Sequence, residues 1–228
     1  MKKNKGKYDH LIKNLEIKSL KNSIFNNQSG RRAFLSLGQG NIHEWLETLL
    51  PNTRLILEPR IIGSIIAIQY INGSLVKAID KNSRDITNLV KSQRNVPKSI
   101  PIKKRIEIKG VLYENQNTFT KKTRTESFEI KKESILQNKL SFCAFHIFHC
   151  KINQFQALNE LKNLDFEIPE TQSTKFISDI EIYLLCWKEG KLFQRYPTKG
   201  LVLKINSKKL QKSLGENNLS INWAYAIN

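Results

Sequence analysis

The most informative stretch of the sequence is a β-rich region that contains a two-residue turn. Apolar and β-branched residues dominate residues 65–71 and 74–78, and Asn72-Gly73 separates the two runs. An Asn-Gly pair between two such runs favours a tight hairpin, because both residues tolerate the positive φ angles of that turn. The sequence therefore predicts an antiparallel hairpin and makes β-sheet the centre of the fold.

Six further segments have the periodicity of regular elements. Strand patterns occupy residues 105–113, 140–149, 201–205 and 221–227, and helical patterns occupy residues 154–164 and 207–214. Asn41 is an N-cap for a short helix that stops before Pro51, and Ser178 is an N-cap for a longer helix that closes at Gly190. Mostly antiparallel strands with inserted helices predict an α+β fold.

Length and composition indicate one folded domain with a short N-terminal arm. With 228 residues, of which 39% are hydrophobic, the chain can bury a core without disulfide or metal support. We assign residues 1–32 to a basic arm, in which apolar residues from Tyr8 to Ile17 follow a helical period, and residues 33–228 to the domain. No apolar run approaches the roughly 18 to 20 residues that cross a bilayer, so we expect a cytoplasmic protein with no membrane partner.

Positive charge is concentrated in three segments of the chain. The formal net charge is +18, and residues 1–32, 91–132 and 188–212 contribute +7, +8 and +7 of it. A high lysine content alone would give a solvated basic surface, but it would not concentrate the charge in blocks. The pattern favours a polyanionic partner, and nucleic acid is the main candidate.

Two cysteines and two histidines lie close together near residue 146, which suggests a zinc site at first inspection. Cys143, His146, His149 and Cys150 fall in a segment that reads as a strand. A strand sends alternate side chains to opposite faces, so one ion cannot collect all four. We therefore predict no metal site and assign these residues to the core, and with Cys186 as the third cysteine we expect reduced thiols.

Several motifs occur in the order in which one known family has them. They are Phe34-Leu35-Ser36-Leu37, Leu57-Glu58-Pro59-Arg60-Ile61-Ile62-Gly63, Ile106-Glu107-Ile108-Lys109-Gly110, Leu140-Ser141-Phe142-Cys143-Ala144-Phe145, Lys199-Gly200-Leu201-Val202-Leu203-Lys204-Ile205 and Trp223-Ala224-Tyr225. In order and spacing they resemble the adenylation (nucleotidyltransferase) domain of NAD-dependent bacterial DNA ligases. Tyr8-Asp9 also resembles the end of that family's nicotinamide-binding helical cap. Several imperfect matches in colinear order are more specific than any one motif.

The resemblance implies a reaction and a site. In the family a lysine amine attacks the α-phosphorus of NAD⁺, which gives a lysyl-AMP and releases nicotinamide mononucleotide. Carried over motif by motif, the nucleotide-binding positions of this chain are Ser36, Leu37, Glu58, Arg60, Lys81 and Lys204. The resemblance implies that these six residues are remnants of a nucleotide site, because other polar residues of the family's site are replaced in this chain.

Three substitutions remove groups that this reaction needs. Arg60 occupies the position of the nucleophilic lysine, Ile62 that of the motif's aspartate, and Val111 that of a carboxylate. A guanidinium stays protonated at any accessible pH, so Arg60 cannot be the nucleophile, although its planar donors suit a phosphate. We expect a catalytically inactive homologue that requires no cofactor and for which NAD or AMP would be the ligand.

Further departures point the same way. Lys199 replaces the family's aspartate before Gly200, Asn228 stands at the position of the last motif lysine, and residues 115–132 lack the family's Ala-Ala-Ala-Gly motif. The sequence stops where the family's oligonucleotide-binding and zinc-finger modules would begin. We therefore expect a poor solitary ligase that would need a protein partner to supply those modules.

Basic residues cluster where the family's domain faces DNA. The predicted phosphate contacts are Lys103, Lys104, Arg105, Lys121, Lys122, Arg124, Lys131 and Lys132. The aromatic residues Tyr113, Phe119 and Phe128 lie among them, and we favour packing beneath the loop over base stacking for these rings.

Three functions remain open at this point. The preferred hypothesis is a noncatalytic domain that binds nicked or gapped DNA, or a repair or replication partner. The first alternative is an active or partner-completed ligase that forms lysyl-AMP from NAD on a substitute lysine, Lys81 or Lys204. The second is an adenine-nucleotide sensor that keeps Ser36, Leu37 and Glu58 and does not bind DNA.

Overall fold

The computed structural model describes residues 23–25, 34–114, 140–217 and 220–228. Within these ranges the elements are β1 (Ser36–Gly38), α1 (Ile42–Glu47), β2 (Leu55–Ile61), β3 (Ser64–Ile71), β4 (Ser74–Asp80), α2 (Thr87–Ser92), β5 (Ile106–Glu114), β6 (Leu140–Ile147), α3 (Gln154–Asn163), β7 (Gln172–Thr174), α4 (Ile177–Lys188), β8 (Thr198–Ile205), α5 (Lys208–Leu214) and β9 (Ser220–Ile227). The predicted helical cap between Tyr8 and Ile17 lies outside the described residues.

The strands form two sheets. One has five strands in the order β1-β9-β8-β2-β7, and the other has four in the order β4-β3-β5-β6. The pairs of named strands are antiparallel except β1 and β9, which run parallel. Helices stand between strands along the chain, so the mixed architecture that the sequence predicts is present in the described part.

The predicted hairpin is confirmed. β3 and β4 pair antiparallel up to Ile71 and Ser74, and Asn72 and Gly73 have φ angles of 52° and 84°. A Cβ atom at Gly73 would lie 2.5 Å from the Ile100 carbonyl oxygen. The turn therefore needs glycine for both its backbone angle and its close approach to a neighbouring segment.

Of the two helix N-caps that the sequence indicates, one is confirmed and one is wrong. The Asn41 side chain accepts a hydrogen bond from the His43 amide at the start of α1. Ser178 is not a cap, because α4 begins at Ile177 and Ser178 is already its second residue. The sequence pattern also starts a helix at Ser207, and in the structure Ser207 is the N-cap of α5 and its side chain accepts the Leu210 amide proton.

Two element ends also differ from the sequence pattern. α1 ends at Glu47 rather than before Pro51, and Leu50 is 67% exposed. β6 ends at Ile147, two residues earlier than predicted, because His149 adopts a φ angle of 56° in a turn. A left-handed residue cannot continue a strand.

Among the described residues, two large apolar clusters and a small one around Ile24, Ala67 and Ile79 form the core, and the two large clusters place the central strands between different neighbours. The first joins the four-stranded sheet to α3, with Ile68, Ile108, Phe142, Leu158 and Leu161 among its buried members. The second joins β2, β8 and β9 to α4 and to one end of the four-stranded sheet, with Leu57, Val111, Ile180, Leu203 and Tyr225 among its members. β2 and β8 therefore present different environments on their two faces.

None of the helices in the described part is long and apolar enough to cross a membrane.

Candidate functional site

The pairing of β2 with β8 brings two predicted site residues onto one face. Glu58 lies opposite Val202, and Ile56 lies opposite Lys204. Residues two apart on one strand, and their cross-strand partners, point to the same side of a sheet. Glu58 and Lys204 are thus diagonal neighbours.

These two side chains form a closed polar cluster in the interior. Lys204 Nζ donates a hydrogen bond to Glu58 Oε2 at 2.6 Å, and both residues are buried. Gln154 Nε2, at the start of α3, donates to Glu58 Oε1 at 3.0 Å and to the Phe145 carbonyl oxygen at 3.1 Å. The Lys204 ammonium also lies 4.6 Å from the centre of the Phe145 ring. We call Glu58, Phe145, Gln154 and Lys204 the Glu58 cluster.

The members of the Glu58 cluster satisfy one another. Both carboxylate oxygens of Glu58 accept a hydrogen bond, and the Lys204 ammonium has the carboxylate and a π face as partners. A buried ion pair is tolerated only when its remaining polar atoms are also satisfied in this way. A nucleotide that used Glu58 or Lys204 would therefore have to replace bonds that already exist.

Arg60 lies outside this cluster, although it is only two residues from Glu58. The register of β2 and β8 shifts between Pro59 and Ile61, which breaks the alternation of faces at Arg60. Its Nη1 donates to Asn228 Oδ1 at 2.9 Å, and its side chain lines a cavity between α1 and α4. Burial lowers the pKa of Arg60, yet a guanidinium remains cationic in proteins.

Two lysines surround the Arg60 region of the surface. Lys199 lies beside Arg60 across the β2–β8 pairing, in which Pro59 faces Leu201 and Ile61 faces Thr198, and Lys81 directly follows β4. Partial desolvation lowers the pKa of Lys199, and the positive charges of Arg60 and Lys81 lower it further. Within the residues that the structure describes, no ion pair is formed by Arg60, Lys81 or Lys199. We call Arg60, Lys81 and Lys199 the cation cluster. Three concentrated and unneutralised charges are suited to binding an anion.

The remaining predicted nucleotide positions are on an edge strand. Ser36 and Leu37 belong to β1, which pairs with β9; Ser36 is exposed and Leu37 is half-buried. The structure thus divides the six predicted nucleotide-binding residues among the Glu58 cluster, the cation cluster and β1. Ile62 and Val111, which replace polar family positions, are both buried, so these positions serve the apolar interior.

Three of the eight predicted DNA contacts are described. Lys103 is exposed, and Lys104 and Arg105 are half-buried. Arg105 Nε lies 3.5 Å from a Glu107 carboxylate oxygen. The other five, Lys121, Lys122, Arg124, Lys131 and Lys132, lie outside the described residues, as do Phe119 and Phe128. Tyr113 is buried and donates its hydroxyl proton to Glu167 at 2.7 Å, so its ring packs in the interior.

Sequence reasoning did not single out Lys109 as a site residue. It lies on β5 between Ala67 on β3 and His146 on β6, and its ammonium is 6.0 Å from the centre of the Phe34 ring. Burial lowers the pKa of Lys109 to about 8, and the charge of Lys204 lowers it while that of Glu216 opposes the shift. The alternation in residues 105–110 predicts that Lys109 and Glu107 lie on the same face of the strand. It does not predict that other segments of the chain cover that face.

Glu107 is another residue whose environment the sequence pattern did not predict, and it is buried. Its carboxylate accepts hydrogen bonds from the Ser23 hydroxyl at 2.5 Å, from the Ile24 amide at 3.2 Å and from the Gln69 amide at 2.9 Å. Ile24 is itself buried. Residues 23–25, which fall in the segment assigned to the arm, are therefore attached to the face of the four-stranded sheet.

Of the cysteine and histidine residues near residue 146, the two cysteines have the predicted core environment, whereas His146 and His149 are half-buried. Cys143 and Cys150 are buried free thiols, and burial raises the pKa of each. Burial, with the charges of Lys208, Lys204 and Lys109, holds the pKa of His146 well below its usual value. Across residues 23–25, 34–114, 140–217 and 220–228, no group of three or more His, Cys, Asp or Glu side chains could hold a metal ion.

Comparison with solved structures identifies the fold. The chain aligns over 77% of its length with a protein of Aquifex aeolicus assigned as an ATP-dependent DNA ligase, at a TM-score of 0.50 and 11% identity, covering 48% of that chain. An archaeal ATP-dependent RNA ligase also gives a TM-score of 0.50, at 12% identity, over 76% of this chain and 45% of the other. The described part has the nucleotidyltransferase fold of nucleic-acid ligases.

Sequence comparison finds DNA ligases. The DNA ligase of Metamycoplasma arthritidis is 26% identical over 89% of this chain and 36% of its own length, and that of Mesoplasma florum is 26% identical over 83% and 34%. The DNA ligase of Prochlorococcus marinus strain NATL1A is 27% identical over 76% and 31%. The chain spans about a third of the length of these curated relatives. No protein-family model matches it. The chain is therefore similar in sequence to part of these DNA ligases and similar in fold to the two nucleic-acid ligases.

Proposed function

We propose that this domain binds DNA through its phosphates and does not form a lysyl-AMP at position 60. The observation that carries the proposal is the cation cluster, in which Arg60 stands at the position of the family's nucleophile beside Lys81 and Lys199. The relatives are named DNA ligases, which makes DNA the polyanion to test first. Nicked or gapped duplexes are the proposed targets, and a repair or replication protein is a proposed partner.

The physical argument rests on charge and on the chemistry of the guanidinium. An arginine binds phosphate with two parallel N–H bonds, whereas it cannot lose a proton to become a nucleophile. The chain carries a formal net charge of +18, so contacts with phosphates would release counterions and give a strong salt dependence. Lys103, Lys104 and Arg105 are proposed as further contacts in the same mode, with the five basic residues outside the described ranges.

Fluorescence anisotropy with a labelled nicked duplex over a series of salt concentrations tests this proposal. For the natural protein we expect log affinity to fall linearly with log salt concentration. The combined variant Arg60→Gln, Lys81→Gln and Lys199→Gln should lower the magnitude of that slope by about 3. Lys162→Gln, an exposed change on α3, is the matched control. An unchanged slope in the triple variant would remove the cation cluster from the DNA interface.

A second candidate function is nucleotidyl transfer to a different lysine, and the structure favours Lys109 for it. The earlier candidates are less suitable: Lys204 is bonded to Glu58, and Lys81 is an exposed surface lysine. A lysine becomes nucleophilic when desolvation and a neighbouring cation lower its pKa, and Lys109 has both. The Lys109 ammonium would first lose a proton to solvent. Its neutral amine would then attack the α-phosphorus of NAD⁺ or ATP and form a P–N bond. Nicotinamide mononucleotide would leave from NAD⁺, and pyrophosphate would leave from ATP.

Intact-protein mass spectrometry separates the two candidates. The protein is incubated with NAD⁺ or ATP and Mg²⁺, with and without nicked DNA, and the Arg60→Lys and Lys109→Met variants are run beside it. We expect no AMP adduct on the natural protein. An adduct that maps to residue 109 and is lost in Lys109→Met would establish the second function. Saturable binding of NAD⁺ or AMP without DNA binding would instead support the nucleotide sensor.

A further inference from the structure

A cavity lies between two helices beside the five-stranded sheet. It has a volume of about 540 Å³ and is bounded by α1, α4 and the end of β9. Cavities of about 300–1,000 Å³ are the usual size for small-molecule sites. The DNA proposal uses Arg60, which also lines this cavity, but none of the other lining residues; the Lys109 candidate uses none of them.

Polar side chains, among them His43 and Asn228, line part of the cavity, and aliphatic side chains from both helices line the rest. Ile42 and Leu46 come from α1, and Ile180 and Leu184 come from α4. These four residues belong to or pack against the second apolar cluster, so the helices that carry them are anchored to the sheet. Such walls suit the apolar body of a ligand, because burial of hydrocarbon is favourable in proportion to its area.

One lining side chain is a partly buried cation. A guanidinium has five N–H donors, and among the described residues Arg60 uses one of them, for Asn228 Oδ1. Glu181 is the acidic residue among those that line the cavity, and it forms no ion pair with Arg60 in the part of the chain that the structure describes. Lys81 and Lys199 add positive potential beside Arg60.

From these features we infer that the cavity binds an amphipathic anion, with a phosphate or carboxylate head on the Arg60 guanidinium and an aliphatic body between α1 and α4. The charge of Arg60 and the aliphatic walls are complementary to the two ends of such a ligand. A partly desolvated guanidinium gains more from an anion than an exposed one, because the local dielectric constant is lower. This inference goes beyond DNA binding and does not depend on it.

Isothermal titration calorimetry with octyl phosphate, below its micellar concentration, tests the inference. We expect octyl phosphate to bind at least about ten-fold more tightly than inorganic phosphate or octanol, because only it supplies both the charge-assisted bonds and the apolar contact. Arg60→Gln should abolish the advantage over octanol, and Leu184→Gln should weaken binding at least about five-fold through the wall. Lys162→Gln should leave the affinity unchanged.

Several outcomes would overturn the inference. Equal affinity for octyl phosphate and octanol would remove the head-group site, and tighter binding of octylammonium would assign the cavity to a cation on Glu181. Self-association that Leu184→Gln abolishes, without octyl phosphate binding, would assign it to a second copy of the chain. Failure of the DNA proposal is recognised separately, since Lys199→Gln changes the salt dependence of DNA binding and leaves the aliphatic walls intact.

Discussion

The Glu58 cluster and the cation cluster each have one member on β2 and one on β8, and the two clusters have opposite electrostatic character. In the first, a buried carboxylate and ammonium pair at 2.6 Å and every polar partner is internal. In the second, three cations stand together with no described counter-ion. The two clusters share β2 and β8, and Glu58 is only two residues from Arg60.

The difference between them comes from one irregularity in the strand pairing. If β2 alternated regularly, Glu58 and Arg60 would share a face. The register shift between Pro59 and Ile61 separates them, so that Glu58 meets α3 and Arg60 meets the cavity beside α4. We infer that residues of one sequence motif have acquired different roles here, with internal stabilisation for Glu58 and anion binding for Arg60.

The largest expected effect comes from breaking the Glu58 cluster on one side. Lys204→Met leaves the Glu58 carboxylate buried without its counter-charge, which should cost about 3–5 kcal/mol of unfolding free energy. Urea denaturation followed by circular dichroism measures the loss. The double variant Glu58→Leu, Lys204→Met is the control and should recover most of the stability, because it removes both charges. A single variant that loses less than about 1 kcal/mol would show that the pair is not desolvated.

The next effect concerns Lys109 and has a defined pH dependence. The folded pKa of about 8 lies below the ordinary value of 10.5, so the unfolded state binds more protons between those values and stability rises with pH across that window. Below pH 8 the penalty for the partly desolvated charge is fully present. Lys109→Met should therefore stabilise the protein by about 1–3 kcal/mol at pH 7.

Urea denaturation of both proteins from pH 7 to pH 10.5 checks this sign. The advantage of Lys109→Met over the natural protein should shrink as pH rises through the window, while Lys204, Glu216 and His146 remain the same in both chains. A constant difference at all pH values would mean that Lys109 keeps an ordinary pKa, and it would weaken the nucleotidyl-transfer candidate as well.

Changes in the cation cluster should have a small effect on the unfolding free energy and a larger effect on DNA binding. Lys199→Gln should change the unfolding free energy by no more than about 0.5 kcal/mol, because its side chain is at the surface. The same change should reduce the magnitude of the salt slope for nicked DNA by about 1. Anisotropy titrations at several salt concentrations measure the slope, and Lys162→Gln provides the comparison. If Lys199→Gln lowered the unfolding free energy without changing the salt slope, Lys199 would have a structural role, and the proposed role of the cation cluster in DNA binding would be wrong.

Local features of the fold were predictable from the sequence because their causes are local. Asn72-Gly73 specifies its own turn, and the Asn41 side chain caps the helix that directly follows it. The short strands β1 and β7 were not predicted, since three residues carry no period. Ser178 is not a cap because α4 already contains it: the helix begins at Ile177.

The environments of the candidate site residues were less predictable, because they depend on contacts across the fold. The sequence motif placed Glu58 beside Arg60, but the register shift depends on how β2 pairs with β8. The burial of Lys109 depends on Phe34 and on the neighbouring strands. The attachment of Ser23 to Glu107 joins residues 84 positions apart. Periodicity predicts which residues lie on the same face of an element, but it does not predict which segments of the chain pack on that face.

The smallest predicted effect tests whether Arg60 is held as rigidly as Glu58. The bond from Arg60 to Asn228 Oδ1 is exposed, at 2.9 Å, whereas the bond from Gln154 to Glu58 is buried, at 3.0 Å. The two bonds are similar in length but should contribute differently to stability. Asn228→Ala should change the unfolding free energy by less than about 0.5 kcal/mol. Gln154→Ala should lower it by about 1–3 kcal/mol, because it leaves a buried carboxylate oxygen of Glu58 without a hydrogen bond. Denaturation of the two variants in parallel measures both values. Equal costs would mean that Arg60 is fixed as part of the interior, and its freedom to turn toward an anion would then be lost.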